Sequence, residues 1–107
     1  MASTPTLFKA APHYLLTIKP NGGTLLNLQT SKIYCVNHVA TRLWALVAES
    51  QEGLTSDAIM QGLSPRFENY VPIERLQNTV GVILTEMEHA GLLERCEAVA
   101  TPTSAII

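Results

Sequence analysis

The chain changes hydrophobic period abruptly near its middle, and that change limits what it can fold into. In "GGTLLNLQTSKIYCVNHVATRLWAL", residues 22–46, apolar residues first alternate as on a pleated strand. Leu26 and Leu28 take one face and Leu25 the other. Beyond Asn37 they recur at Ala40, Leu43, Trp44 and Val47, the i, i+3, i+4, i+7 spacing of one helix face. A period of two running straight into one of 3.6 predicts a strand hairpin set directly against a helix. Asn37, at the junction, has the side chain of a good N-cap.

The flanking sequence extends both halves. "YLLTIK", residues 14–19, has strand composition, and "PNGG", 20–23, supplies a turn because Asn and Gly tolerate positive φ. "TLLNLQ" and "TSKIYCV" follow as second and third strands around a polar turn at 29–31, so the third strand of the meander lies on an edge. After "ESQEG" ends the first helix, Thr55 caps a shorter one reaching about Leu63, with Asp57 favourable in its first turn. "SPRFENYVP" then connects to a third helix, from near Pro72 to Gly91, with Gly91 at C′ and Leu92 as its hydrophobic follower. On that helix Ile73, Leu76, Val80, Ile83, Leu84, Met87 and Ala90 fall within an arc of about 120°, while Glu74, Arg75, Glu86 and His89 lie outside it. The expected fold class is α+β and winged helix-turn-helix-like, a three-stranded antiparallel sheet followed by three helices. Residues 1–12 read as a flexible arm, 13–95 as the folded domain and 96–107 as a flexible tail.

Composition narrows the function classes. A chain of 107 residues is one domain with little room for an enclosed active-site cavity. Its acids all lie between Glu49 and Glu97, whereas the earlier part holds only Lys9, Lys19, Lys32 and Arg42 as charged residues. This asymmetry fits either strand-versus-helix composition or a basic sheet side that steers an acidic partner. Cys35 and Cys96 are far apart, and "MASTPTLFKAAP" lacks the basic start and apolar core of a signal peptide, so reduced thiols and a cytoplasmic location are expected. No apolar run approaches the roughly 18 residues of a membrane span, and no membrane partner is expected. His13, His38 and His89 match no metal spacing, and neither a phosphate loop nor G-x-S-x-G is present. No catalytic residue, metal or cofactor is expected, and the chain does not read as an enzyme.

"GGTLLNLQTSKIYCVN", "VATRLWALV", "LTSDAIMQGL" and "VGVILTEMEHAGLLE" resemble, in order and spacing, the PqqD-like family over roughly residues 13–95. These are leader-peptide recognition domains (RiPP recognition elements) of ribosomal peptide pathways, and the short stand-alone length resembles members from lasso-peptide clusters. The resemblance implies a non-catalytic adaptor. It implies that a precursor's leader docks as an added strand on the third strand, against the third helix. The leader is then presented to a leader-cleaving protease or another modifying enzyme. "LQTSK" stands where PqqD itself typically has a Pro-Glu pair, which favours a relative over PqqD. Asn78 and Thr79 stand where many members carry an acid early in the third helix.

An open strand edge offers backbone N–H and C=O groups to an incoming peptide, which makes Lys32, Ile33, Tyr34, Cys35 and Val36 the expected contacts. Alternation places Tyr34 and Val36 on one face, Ile33 and Cys35 on the other. Gly81 costs its helix roughly 1 kcal/mol against alanine and lies just beyond the apolar arc. Either another part of the protein packs closely there, or a bound peptide does. The second reading brings in Gln77, Val80 and Leu84, and if the opposite border faces the strand, Leu76 and Ile83 replace Val80 and Leu84. The rival function, a winged-helix DNA-binding regulator, needs a basic or amide-rich recognition helix. Residues 73–90 carry Glu74, Glu86 and Glu88 against Arg75 alone, so phosphates are repelled and no nucleic-acid partner is expected.

Overall fold

A computed structural model describes residues 6–97. Along the chain come β1 (Thr6–Ala10), β2 (Tyr14–Lys19), β3 (Gly22–Asn27), β4 (Ile33–Val36), α1 (His38–Ala48), α2 (Ser56–Phe67), α3 (Ile73–Ala90) and β5 (Leu93–Glu97). The meander β2-β3-β4 and the three helices match the expected α+β class.

The first hairpin turn is tighter than the sequence pattern indicates, and the second is longer. β2 and β3 pair from Tyr14↔Asn27 to Lys19↔Gly22, which leaves Pro20 and Asn21 alone at the turn. Positive φ falls on Gly22, at +146°, and a Cβ there would overlap the Val36 carbonyl oxygen. At the second turn the Asn27 carboxamide oxygen accepts from the Gln29 and Thr30 N–H groups at 2.8 and 3.1 Å. Ser31, at φ 65°, donates its N–H to the Asn27 carbonyl (2.8 Å), and Asn27 donates back to the Lys32 carbonyl (2.8 Å). Two residues thus oppose one, a bulge that ends β3 at Asn27 and delays β4 to Ile33.

Local caps fix the helix starts and one stop. The Asn37 side chain accepts from the Ala40 N–H at 2.8 Å, and Thr55 accepts from the Ala58 N–H at 3.1 Å. Gly91, at φ 80°, and Leu92 close α3 by donating to the Glu88 and Met87 carbonyls, and Leu92 is buried behind them. α2 runs to Phe67, past the expected end at Leu63 and through Pro65. Its last turn is held by the buried Phe67 ring and by the Glu68 N–H, which donates to the Ser64 carbonyl at 2.8 Å. Pro65 removes its own donor and crowds the Gln61 carbonyl, and the turn after it still closes through the Glu68 bond.

The core lies between the inner face of the meander and the three helices. Leu25 of β3, Leu43 and Val47 of α1, Ile59 and Leu63 of α2, and Leu76 and Val80 of α3 are all buried in it. Of the α3 stripe, Leu76, Val80, Ile83, Leu84 and Met87 are buried, while Ile73 and Ala90 at its ends are exposed. Trp44 ties α1 to the end of α3, its indole N–H donating to the Leu92 carbonyl at 2.9 Å.

The segments expected as arm and tail differ most from the reading. Residues 6–10 of the expected arm form β1, which pairs antiparallel with β5 from Thr6↔Glu97 to Ala10↔Leu93. Phe8 and Leu93 are buried, and Phe8 exchanges backbone hydrogen bonds of 2.8 and 3.0 Å with Leu54. Arg95 stacks over the Phe8 ring at 5.6 Å and pairs with Glu88 at 2.8 Å. The ordered unit therefore reaches beyond 13–95 at both ends. Two five-residue strands with partners at opposite ends of the chain leave no local pattern to read. The remainder of the expected arm and tail, residues 1–5 and 98–107, lies outside the described residues.

Candidate peptide-binding edge and groove

β4 is an outer strand, paired with β3 on one side; among the described residues nothing pairs with its other side. The hydrogen-bond parity follows from the bulge. In an antiparallel ladder, residues that exchange bonds alternate with residues whose backbone groups point away. The Asn27–Lys32 bond therefore makes Leu25↔Tyr34 and Gly23↔Val36 the bonded pairs in this register. On the opposite side of β3, the Leu28 N–H donates to the His13 carbonyl at 2.8 Å, the alternation a central strand requires. Ile33 and Cys35 are then the residues that turn both N–H and C=O toward the open edge. Lys32 belongs to the turn, its N–H reaching the Thr30 hydroxyl at 3.3 Å and its carbonyl taken by Asn27. Backbone of Tyr34 and Val36 is committed to β3.

Side chains divide the other way. Ile33 is 63 % exposed and Cys35 is exposed, both on the outer face. Tyr34 and Val36 are half-buried on the inner face, with the Tyr34 ring 6.3 Å from that of Tyr14. Alongside them runs a groove of about 210 Å³. Its walls are Tyr34, Cys35, Val36 and Asn37 from the strand side, Ala40 from α1, Ile83, Glu86, Met87 and Ala90 from α3, and Leu92. Most of this lining is carbon, and Glu86 adds a carboxylate.

The groove resolves the border of α3 that the sequence left open. The Ile83 border, with Ala90, faces β4. Val80 and Leu84 are buried in the core, as is Leu76. Gln77 and Gly81 are exposed and border a different hollow with Asn78, Val82, Thr85 and Glu86, on the outer face of α3. A Cβ on Gly81 would meet nothing within 4 Å, so close internal packing does not explain that glycine. Of the expected contacts, the structure brings Tyr34, Cys35 and Val36 together with Ile83 and leaves Gln77, Val80, Gly81 and Leu84 off the groove. Asn37, Ala40, Glu86, Met87, Ala90 and Leu92 line the groove without having been among the expected contacts. Their signal was the position of Ala90 and Ile83 at one end of the apolar arc, where two small or flexible walls, Ala90 and Ala40, leave room beside a strand.

Among the described residues no helix is long and apolar enough to cross a membrane, and no three metal-ligating side chains cluster.

A family model described as coenzyme PQQ synthesis protein D (PqqD) matches residues 22–93, from the first residue of β3 to the first of β5. Two solved structures share the fold. One is TbiB1 in complex with the TbiA(beta) leader peptide, at TM-score 0.62 and 21 % identity, covering 80 % of this chain and 94 % of that one. The other is a lasso peptide synthetase B1 complexed with the leader peptide, at TM-score 0.61 and 15 % identity, covering 81 % and 96 %. No curated protein sequence matches the chain.

Proposed function

The chain belongs to the PqqD family, and from that premise we propose that it is a non-catalytic adaptor for the leader of a ribosomally made precursor peptide. The leader adds to the outer edge of β4 and is presented to a leader-cleaving protease or another modifying enzyme, in a pathway of lasso-peptide type. The observation that carries this reading is the open edge of β4 beside an apolar groove. Ile33 and Cys35 offer four backbone hydrogen-bonding groups spaced for a strand, and alternate peptide side chains fall against Tyr34, Val36, Ile83 and Met87. Backbone pairing supplies affinity that is independent of sequence, while the groove selects apolar side chains. Glu86 puts an acid beside the groove and suits a basic leader residue for up to about 1 kcal/mol. The two solved relatives hold leader peptides, which supports the same class of ligand here. The free thiols Cys35 and Cys96 fit a reducing cytoplasm.

The test is a titration of the labelled protein with leader peptides encoded beside its gene, followed by amide NMR. The Ile33 and Cys35 amides shift saturably and gain protection from exchange. Saturable binding that leaves both amides unprotected overturns the strand-addition mode, and absence of binding to every encoded precursor overturns the adaptor reading.

A further inference from the structure

A larger cleft lies on the other side of α1. It is lined by His38 and Arg42 from α1, Arg66 and Phe67 from α2, and Tyr70 just beyond, and is an open depression of about 510 Å³. That is more than twice the groove beside β4 and within the usual range of ligand sites. We infer that this cleft is a second recognition surface, which takes a short protein segment carrying carboxylates beside an aromatic or aliphatic side chain. The inference stands on its own observations and does not depend on leader binding at β4.

Charge is the first observation. No carboxylate lines the cleft, and the ion pair found among the described residues is Arg95–Glu88. Arg42 and Arg66 therefore come together with no acid within pairing distance. A guanidinium fork matches a carboxylate with two parallel hydrogen bonds, and two such forks in one cleft match an acidic segment. Arg42 is half-buried, which strengthens its field relative to a fully solvated arginine.

The second observation is aromatic surface. The buried Phe67 ring meets His38 edge-on at 6.0 Å and forms the cleft floor, while Tyr70 stands 82 % exposed at its margin. Tyrosine and arginine together are the residue types that dominate binding energy at protein interfaces. A tyrosine so bare has nothing of its own to pack against.

A nucleic acid strand fits less well. Each phosphate needs its own cation, and only two arginines are present. Glu68 is exposed directly after Phe67, and Glu49 shares the adjoining hollow with Arg42 and Arg66, so a long polyanion meets carboxylates at the margins. A short acidic segment avoids them. The two surfaces also meet without overlapping, because Asn37 and Ala40 line the groove and His38 and Arg42 line the cleft. One molecule can hold a peptide on β4 and a second protein at α1 simultaneously.

The probe is a synthetic pentapeptide, acetyl-Glu-Phe-Glu-Leu-Glu-amide, titrated against the intact protein and followed through Phe67 and Tyr70 amides and the Arg42 and Arg66 side-chain N–H signals. Controls are the same peptide with Gln for each Glu, inorganic phosphate and a single-stranded thymidine oligonucleotide. The expected result is saturable shifts at these four residues, at least about tenfold weaker for the Gln peptide. Arg66→Ala, on an exposed residue that leaves the fold intact, weakens binding roughly five- to tenfold. The inference is overturned by any of four results. These are no saturable shift, equal binding of the Gln peptide, oligonucleotide or phosphate binding as tight as the Glu peptide, and shifts confined to Ile33 and Cys35.

Discussion

Cys35→Pro separates the stability of the sheet from its capacity to take another strand. The Cys35 N–H points away from β3, so proline there removes no bond of the meander, and the exposed thiol packs against little. An edge strand with its N–H toward solvent is where a sheet accepts proline, and Tyr34 before it is already extended. The expected loss of stability is about 1 kcal/mol or less, from bringing φ to the proline value. Peptide capture suffers more. One net hydrogen bond, about 0.5–1.5 kcal/mol, disappears, and the ring fills the position of the lost hydrogen, so the partner carbonyl is desolvated without a donor at a further 1–3 kcal/mol or so. A loss of about 2–3 kcal/mol weakens binding roughly thirty- to more than a hundredfold. Fluorescence anisotropy of a labelled leader measures the affinity, and urea unfolding measures the stability. Val36→Pro is the internal control. Its N–H is bonded to Gly23, so the same substitution one residue later costs at least about 2 kcal/mol of folding stability. Affinity within twofold of the original for a folded Cys35→Pro protein refutes strand addition at β4. Equal stability of the two proline variants refutes the hydrogen-bond parity from which the argument starts.

Gly22→Ala combines a φ of +146° with an overlap against the Val36 carbonyl and is expected to cost more than about 2 kcal/mol, lowering the urea midpoint; a loss under about 0.5 kcal/mol contradicts it. Gly81→Ala meets open space on an exposed helix position, so stability rises by roughly 0.5–1 kcal/mol while leader affinity stays constant. A drop in affinity there moves the peptide to the outer face of α3. Phe8→Ala empties a buried position shared by β1, Leu54 and Arg95 and should cost about 3–5 kcal/mol by chemical denaturation. A negligible cost means that β1 adds nothing to the fold.

Much of the architecture is legible along the chain because it rests on interactions within a few residues. The period change at Asn37, the Asn37 and Thr55 caps, the Gly91 stop and the buried run Ala40, Leu43, Trp44 and Val47 each depend on neighbours no more than a few positions away. The strand expected to be an edge is one for the same reason, since short turns order a meander without reference to the rest of the protein. Pairing of β1 with β5 is invisible along the chain because it joins the two ends of the described residues, with no turn between the strands to signal the pair.

The binding surface needed tertiary structure. Val80, Leu84 and Ile83 fall in one apolar arc, and no sequence pattern tells which edge of an arc faces a strand; the packing of α3 against α1 and β5 does. Likewise, the identity of the strand gives five expected contacts from Lys32 to Val36, but a bulge made of Asn27, Ser31 and Lys32 leaves Ile33 and Cys35 as the residues whose backbone faces outward. Arg42 and Arg66 share a cleft only because α1 packs on α2. Short-range chemistry determined the elements and their order. The faces they turn to a ligand were decided by how those elements pack, since packing alone orients one element relative to another.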